Sequence, residues 1–593
     1  MQGNTTGLRV NIAASDQRVT QDKAAGVSRA VDLLSYLILA SGILTALYSA
    51  YIVVASYSSL PFWDGWVEID FPATNAGMSV LDWLWTQHNE HRLVISRLFM
   101  LADLHWFHAN QVLLLAAVFL ILCLQVVVLA WSLRAVGDWR GSLWRSGAGL
   151  AAFCLLSPAL WEMLVWGECV CFALPGLFAI LAIVGLVLYW TRSQNPATQS
   201  SAWRYLLLSV LAAWGGSWSL LNGNLLWPLL FGAALLLRLR RAVLTYAIAG
   251  ALSISLYLID YIRPSYALNS TRAPLATAEY FATYFGSSWV NDNFRIAVLL
   301  GMIGLAACVF LVLQLPQFVR SRHPLHLQLL LIMLFCAGTG FITAFGRSGF
   351  GLLQAATSRY QAFALLFWCC LGLLWLAAAA ARGRAATMLL AQCVILVVML
   401  GAALQAKAPL VRARIHEFKQ HTAAASLITG VSDIENLKWV YRQPSYLFNL
   451  VPYMRQERLS VFREPISELL DKPVTSEFSL APAGDCAGAI ESSVVMNHGM
   501  PPALRITGWA WDNRRQAPPV AIVAATQGII AGVGAMGDWR ASDTTSRPGM
   551  TAGFIGYTAY VRDSRPLGPV EIYAIFKGSP ATACLIASDK PSS

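Results

Sequence analysis

The chain has 593 residues, 57% of them hydrophobic and only 12% charged, whereas a soluble globular protein carries about 25% charged residues. With a mean hydropathy of +0.56, soluble enzyme folds are excluded for most of its length. The 42 Lys and Arg against 31 Asp and Glu give a formal charge of +11, but the basic residues sit between apolar segments, which is a topology signal and not a nucleic-acid footprint.

The first 30 residues are polar, carry Arg9, Arg18, Lys23 and Arg29, and lack a short apolar stretch ending in a small-residue cleavage site. Residues 1–32 therefore read as a cytoplasmic segment ahead of an uncleaved span. Stretches of about 20 apolar residues predict helices near 33–56, 110–133, 146–165, 172–190, 205–221, 224–237, 242–262, 295–314, 326–345, 362–380 and 385–404, about eleven in all. One set of loops holds the basic N-terminus, Arg134/Arg140/Arg145, Arg192/Arg204, Arg238/Arg240/Arg241, Arg320/Arg322 and Arg382/Arg384, and the opposite set is poorer in basic residues. Such alternation places the basic set in the cytoplasm. An odd count then puts the long segments 57–109, 263–294, 346–361 and everything after 404 outside.

Beyond the transmembrane region 33–404, residues 405–475 mix charged and helix-period apolar residues and predict helices near the membrane surface. From 476 to 593 the pattern changes to short alternating strands, as in LRITGWAWD and AGFIGYTAYVRD, which predicts one β-sandwich. Cys486 and Cys584 stand near its two ends in a compartment where disulfides persist, so a bridge between its first and last strands is one reading and two free thiols the other. The remaining cysteines lie mostly in apolar runs and lack zinc spacing, so no zinc site is expected.

The most unusual stretch follows the first span. Within about 40 residues, LPFWDGWVEIDFP and LDWLWTQHNEHRLVISRLF collect Asp64, Glu68, Asp70, Asp82, His88, Glu90, His91, Arg92 and Arg97. One reading is an amphipathic helix on the membrane with Trp63, Trp66, Trp83 and Trp85 as an interfacial belt. The other is an active-site loop, in which carboxylates beside apolar surface act as bases and clustered His and Arg hold an anion. On a helix His88, His91 and Arg92 share a face. Two His three apart with an acid also admit a metal, although HExxH is absent, and a divalent cation is the one cofactor left open.

A second candidate is the outer loop FGRSGFGLLQAATSRYQ, where the forked donors of Arg359 suit the phosphate of a lipid carrier, unless the residue only snorkels at a helix end. Tyr360 beside it is read either as an interfacial anchor or as a surface on which a sugar stacks. The loop 263–294, with Asp292, Arg263 and several aromatic residues, is read as acceptor-side lining.

This pattern resembles the GT-C superfamily of integral-membrane glycosyltransferases: a cytoplasmic N-terminus, about eleven spans, a large first outer loop with an acid soon after the first helix (Asp64 in FWDGW) and an extracytoplasmic C-terminal domain. HNEHRLVISRL, GRSGFG and SRYQ also resemble stretches of bacterial multi-span proteins described as membrane glycosyltransferases. The resemblance implies a bacterial cytoplasmic-membrane enzyme that transfers a sugar, with inversion, from a polyprenyl-phosphate donor to a cell-envelope glycan presented outside, with membrane lipid as its surroundings. Its first-loop acid implies Asp64 as general base, with Asp70 and Glu90 as substitutes because Gly65 and Trp66 stand where a second acid is common. Arg359 and the cluster His88, His91 and Arg92 are the implied phosphate ligands. Trp509 and Trp511 in GWAWD are implied to bind carbohydrate, and are equally readable as core plus a turn. The rival class is a transporter or flippase of a lipid-linked glycan; against it, no internal repeat is visible and a large outer β domain is unusual for a carrier.

Overall fold

The computed structural model describes residues 5–75, 77–264, 273–290, 293–321, 323–482, 484–496, 503–540, 553–562, 569–578 and 581–589, with side chains from residue 26 onward. Asp292 lies outside the described residues. Eight helices are long and apolar enough to cross a membrane: Gly26–Ala55, Val112–Ala135, Gly141–Val165, Gly167–Ser193, Phe294–Leu313, Pro324–Phe350, Ser358–Ala381 and the membrane-side part of Ala385–Thr429. Each coincides with an expected span. The other three expected spans are occupied by helices Trp203–Ser217, Leu226–Leu236 and Arg240–Tyr257, which are shorter or less apolar. Polar breaks at Ser217–Asn224 and Arg238–Arg241 account for the difference.

In lipid the apolar surface of a helix gains little by leaving its solvent, so close backbone approach and polar contacts must hold the bundle. Gly42 and Gly149 supply the first, since a Cβ on Gly42 would stand 2.4 Å from Gly149 O. Buried amides supply the second. Gln392 Nε2 donates to Val31 O at 3.0 Å and to Ser146 Oγ at 2.9 Å, tying three helices, and Gln328 Nε2 donates to Ser132 Oγ at 2.7 Å.

After Leu404 the chain leaves the bundle through helix Lys407–Thr429, followed by helices Ile434–Val440 and Pro444–Gln456. These are packed, not spread on a surface. Leu427, Leu437, Leu447 and Met454 share one buried cluster with Leu60, Trp66 and Ile69 of the first loop and with Val533 and Tyr560 of the β domain. First loop, connector and β domain are therefore joined by one apolar core.

The β domain comprises β1 (Ser479–Leu480), β2 (Cys486–Met496), β3 (Ala503–Asp512), β4 (Ala521–Thr526), β5 (Ile529–Arg540), β6 (Gly553–Arg562), β7 (Val570–Phe576) and β8 (Thr582–Asp589). Its strands form a single sheet, β1-β8-β7-β4-β5-β6-β3-β2, antiparallel except for β1 with β8. The expected two-sheet sandwich is thus replaced by one sheet that curls until its ends meet. A Cβ on Gly488 of β2 would lie 2.9 Å from Ile586 Cβ of β8, and Cys486 of β2 is bridged to Cys584 of β8. Leu504, Ile506, Tyr557 and Ile572 fill the interior. Alternation along a strand is the same for both architectures, and strand twist decides whether a long sheet closes on itself. On the other face Gly537, with φ +120° at a bulge in β5, leaves room for Phe418 of the connector helix at 3.6 Å.

Candidate active site

The connection between Ala55 and Val112 is folded throughout, as a turn Trp63–Trp66 and helices Val67–Thr74, Val80–Trp85 and Val94–Phe107. The helix expected through HNEHR is absent. His88 and His91 instead exchange both backbone hydrogen bonds at 2.8 Å, closing a two-residue turn in which Asn89 takes φ +51°. Asn tolerates that left-handed conformation, and turns of this type require it. The turn sets the two imidazoles beside each other and sends Arg92 inward.

Two charged clusters result. In the first, His88 Nε2 lies 3.5 Å from Asp64 Oδ2, an ion-pair distance longer than a good hydrogen bond. Burial pushes the Asp64 carboxyl up, but contact with His88 and the positive charges of His88, Arg359 and Arg347 outweigh it and hold the carboxyl below its usual range. Burial likewise pushes His88 down, and Asp64, helped by the buried Glu168, returns it above the ordinary imidazole value. Arg359 approaches from the start of a spanning helix. Its Nη1 lies 3.3 Å from Glu162 Oε2, and its backbone N–H donates to the same oxygen at 3.1 Å.

In the second cluster Glu90 Oε1 accepts from Arg347 Nη2 at 2.5 Å and lies 3.4 Å from His91 Nε2, and Arg347 Nη1 donates to Tyr360 OH at 3.2 Å. Burial raises Glu90 and the charges of His91 and Arg347 bring it below the usual carboxylate value. His91 is pushed down to about 4 by burial. Leu221 N–H donates to its Nδ1 at 3.3 Å, which leaves Nε2, the atom facing Glu90, to carry the proton. Among the described residues, buried side-chain atoms without a hydrogen-bond partner occur in several parts of the molecule, and those near the clusters are His88 Nε2, Glu90 Oε2, Trp166 Nε1, Glu168 Oε2, Asn222 Oδ1 and Tyr284 OH. Native interiors rarely leave such atoms unsatisfied, so their convergence around two charged clusters marks a place for a polar ligand or water.

One cavity opens on the second cluster, and a larger one reaches Glu162, the partner of Arg359. The first, of about 200 Å³, is lined by Glu90, His91, Asn222, Tyr284, Arg347 and Tyr360. The other, of about 830 Å³, runs between the first span and the helix starting at Ala385, with Leu37, Leu44 and Leu400 along its length and Glu162, Ser358 and Arg412 at its polar end.

Asp64, His88, Glu90, His91, Arg359 and Tyr360 are thus gathered around one region. Tyr360 is only 4% exposed, and it stacks on Tyr284 with centroids 5.7 Å apart. Asp70 instead faces the connector, accepting from Tyr446 OH and from Thr74 Oγ1. The guanidinium of Arg92 is buried away from both clusters' carboxylates and donates to Tyr257 O at 2.8 Å, Trp85 O at 2.5 Å and Ile259 O, bracing the turn. Trp509 and Trp511 stand half-buried on β3, opposite Ala489 and Ala487, and Asp512 after them accepts from Arg514 and Arg515 N–H to close a turn. Glu162 and Arg347 enter the site as partners of Arg359 and Glu90. Only the fold shows that each pairs with a predicted residue roughly 200 positions away or more. Among the described residues no group of three or more His, Cys, Asp or Glu is arranged to hold a metal. Compared with known proteins, the chain matches no family model and no curated protein.

Proposed function

We propose that this protein is a multi-pass membrane glycosyltransferase of the GT-C kind, which moves a sugar from a polyprenyl-phosphate donor to a glycan acceptor on the outer face of a bacterial cytoplasmic membrane. The reading counts the three shorter helices as spans, giving eleven. The basic-loop alternation then puts the N-terminus in the cytoplasm and the connector and β domain outside. One observation carries the proposal: a partly exposed carboxylate, Asp64, is kept ionised by His88 and the charges of Arg359 and Arg347, and Arg359 is paired with Glu162, which lines a largely apolar groove.

In the reaction the acceptor hydroxyl gives its proton to Asp64 as its oxygen bonds to the anomeric carbon. The bond from that carbon to the phosphate oxygen breaks on the opposite face, and the lipid phosphate leaves with the electron pair. Arg359 and Arg347 stabilise the charge it gains. One displacement inverts the anomeric centre and needs a single base, unlike the paired carboxylates of glycoside hydrolases. The groove of about 830 Å³ would hold the first isoprene units of the donor.

The same groove is what favours the second reading, a flippase of a lipid-linked glycan. Purified protein in liposomes separates the two. A panel of radiolabelled polyprenyl-phosphate sugars should yield labelled envelope glycan, and label that changes leaflet without changing its chemical form overturns the transferase in favour of the flippase.

A further inference from the structure

The transfer chemistry leaves unused an aromatic surface next to Asp64. Trp63 has φ +45°, an outlier for a bulky side chain, yet its ring is 40% exposed. A strained backbone that holds a large apolar ring in solvent does not aid folding, and such strain concentrates at functional sites. The ring is also fixed in place, because its Nε1 donates to Trp439 O at 3.1 Å. Trp439, on helix Ile434–Val440, is itself 36% exposed, with the Lys419 ammonium 3.8 Å from its ring centroid. Two residues further on, the half-buried Tyr441 faces Tyr446 with centroids 5.8 Å apart, and the charges of both Asp64 and Asp70 reach its hydroxyl. Tyr446 OH closes the arc on Asp70.

An interfacial belt does not explain these rings. They are interleaved with Asp64, Asp70 and Lys419, and three of the four belong to the connector, not to the end of a spanning helix. The helix that carries Trp439 is moreover held by the β domain. Its cap residue Asp433, fully buried, accepts from Tyr560 OH at 2.8 Å and from Arg505 Nη1 at 3.1 Å. A row of partly exposed aromatic rings, with carboxylates beside it and the Lys419 ammonium over one face of Trp439, matches a sugar ring, whose C–H face is apolar and whose rim is hydroxyl.

We propose that Trp63, Trp439, Tyr441 and Tyr446 form a platform for a carbohydrate chain, and that the β domain serves that platform by orienting the helix that bears Trp439. That the bound chain is the acceptor, with its reacting hydroxyl at Asp64, rests on the transferase reading; carbohydrate binding itself does not.

The test is binding of full-length Asp64→Asn protein in detergent to an array of neutral and acidic oligosaccharides two to eight sugars long, so that no turnover intervenes. Neutral oligosaccharides should bind, at least tenfold more weakly after Trp439→Ala or Trp63→Ala, with Trp439→Phe within threefold of the parent. Tyr441→Ala removes a half-buried ring at the margin of the connector core, and should weaken binding severalfold even where a tryptophan variant fails to fold. A parent protein that binds no oligosaccharide, or binding undiminished in the folded alanine variants, overturns the platform. Absent binding beside intact sugar transfer by the wild type rejects the platform alone, and binding beside absent transfer rejects the transferase alone.

Discussion

Replacing Asp433 with Asn tests whether the β domain holds the connector as described. Oδ2 of Asp433 accepts from Tyr560 OH at 2.8 Å, Arg505 Nη1 at 3.1 Å and Asn436 Nδ2 at 2.8 Å, and Oδ1 accepts from Asn436 N at 3.3 Å. An amide at this position loses the charge and points an NH₂ group at donors or surrenders one oxygen. Breaking a buried charged pair costs about 3–5 kcal/mol. Arg505 keeps an exposed partner in Glu435, which argues for the lower end, about 3 kcal/mol, or roughly a 150-fold increase in local opening. Hydrogen exchange of peptides covering Ile434–Val440 reads that opening directly.

The sign with pH follows from the carboxyl. Burial raises it, but Tyr560, Asn436 and Arg505 together hold it below its usual value. Its contribution is complete above the unfolded value of about 3.9 and is lost as pH falls through the lower folded value. The gap between wild type and variant should therefore be full at pH 7 and shrink below about pH 4. Equal exchange at pH 7, or a gap that widens on acidification, would refute the reasoning.

Three further outcomes are expected. His88→Gln removes the contact that keeps Asp64 ionised, so the acid limb of kcat/KM should move to higher pH; a limb that stays put excludes the pair from catalysis. Arg359→Ala should weaken donor binding about tenfold or more, the worth of charged hydrogen bonds at about 1.5–3 kcal/mol, as measured by equilibrium binding of the lipid donor, and unchanged affinity makes the residue only a partner of Glu162. Cys486→Ser opens a loop closed by a sequence separation of 98, which a chain-entropy account values at about 4.7 kcal/mol, so the β domain should melt well below the wild type in calorimetry; coincident transitions would show that the curled sheet does not depend on the bridge.

The spanning helices were legible because apolar length is a local property. All eight long ones lie where the sequence placed them; of the other three, Trp203–Ser217 and Leu226–Leu236 are short and Arg240–Tyr257 is less apolar, with polar residues such as Asn222, Asn224 and Arg238 between them. The β domain was legible as strands but not as a curled sheet, since closure depends on which edges meet. At the site, residue type and concentration singled out Asp64, His88, Glu90, His91 and Arg359, and the fold brings these five close together. On a helix Arg92 would share the histidine face, whereas the turn at Asn89 brings it onto carbonyls. The pairings of Glu162 with Arg359 and of Arg347 with Glu90 carried no local signal, because each joins residues far apart in the chain. WVYRQPSY shows closely spaced aromatic residues between charges, but only the fold brings them to Asp64.

Single-turnover transfer from a preloaded polyprenyl-phosphate sugar, comparing wild type with Asp64→Asn at matched donor occupancy, tests the base most directly. The account predicts that the variant folds, inserts and binds donor as the wild type does, and loses transfer by at least a hundredfold, the order that a positioned general base contributes. Transfer at the wild-type rate in the variant would contradict it and send the search for the base to Glu90 or Asp70.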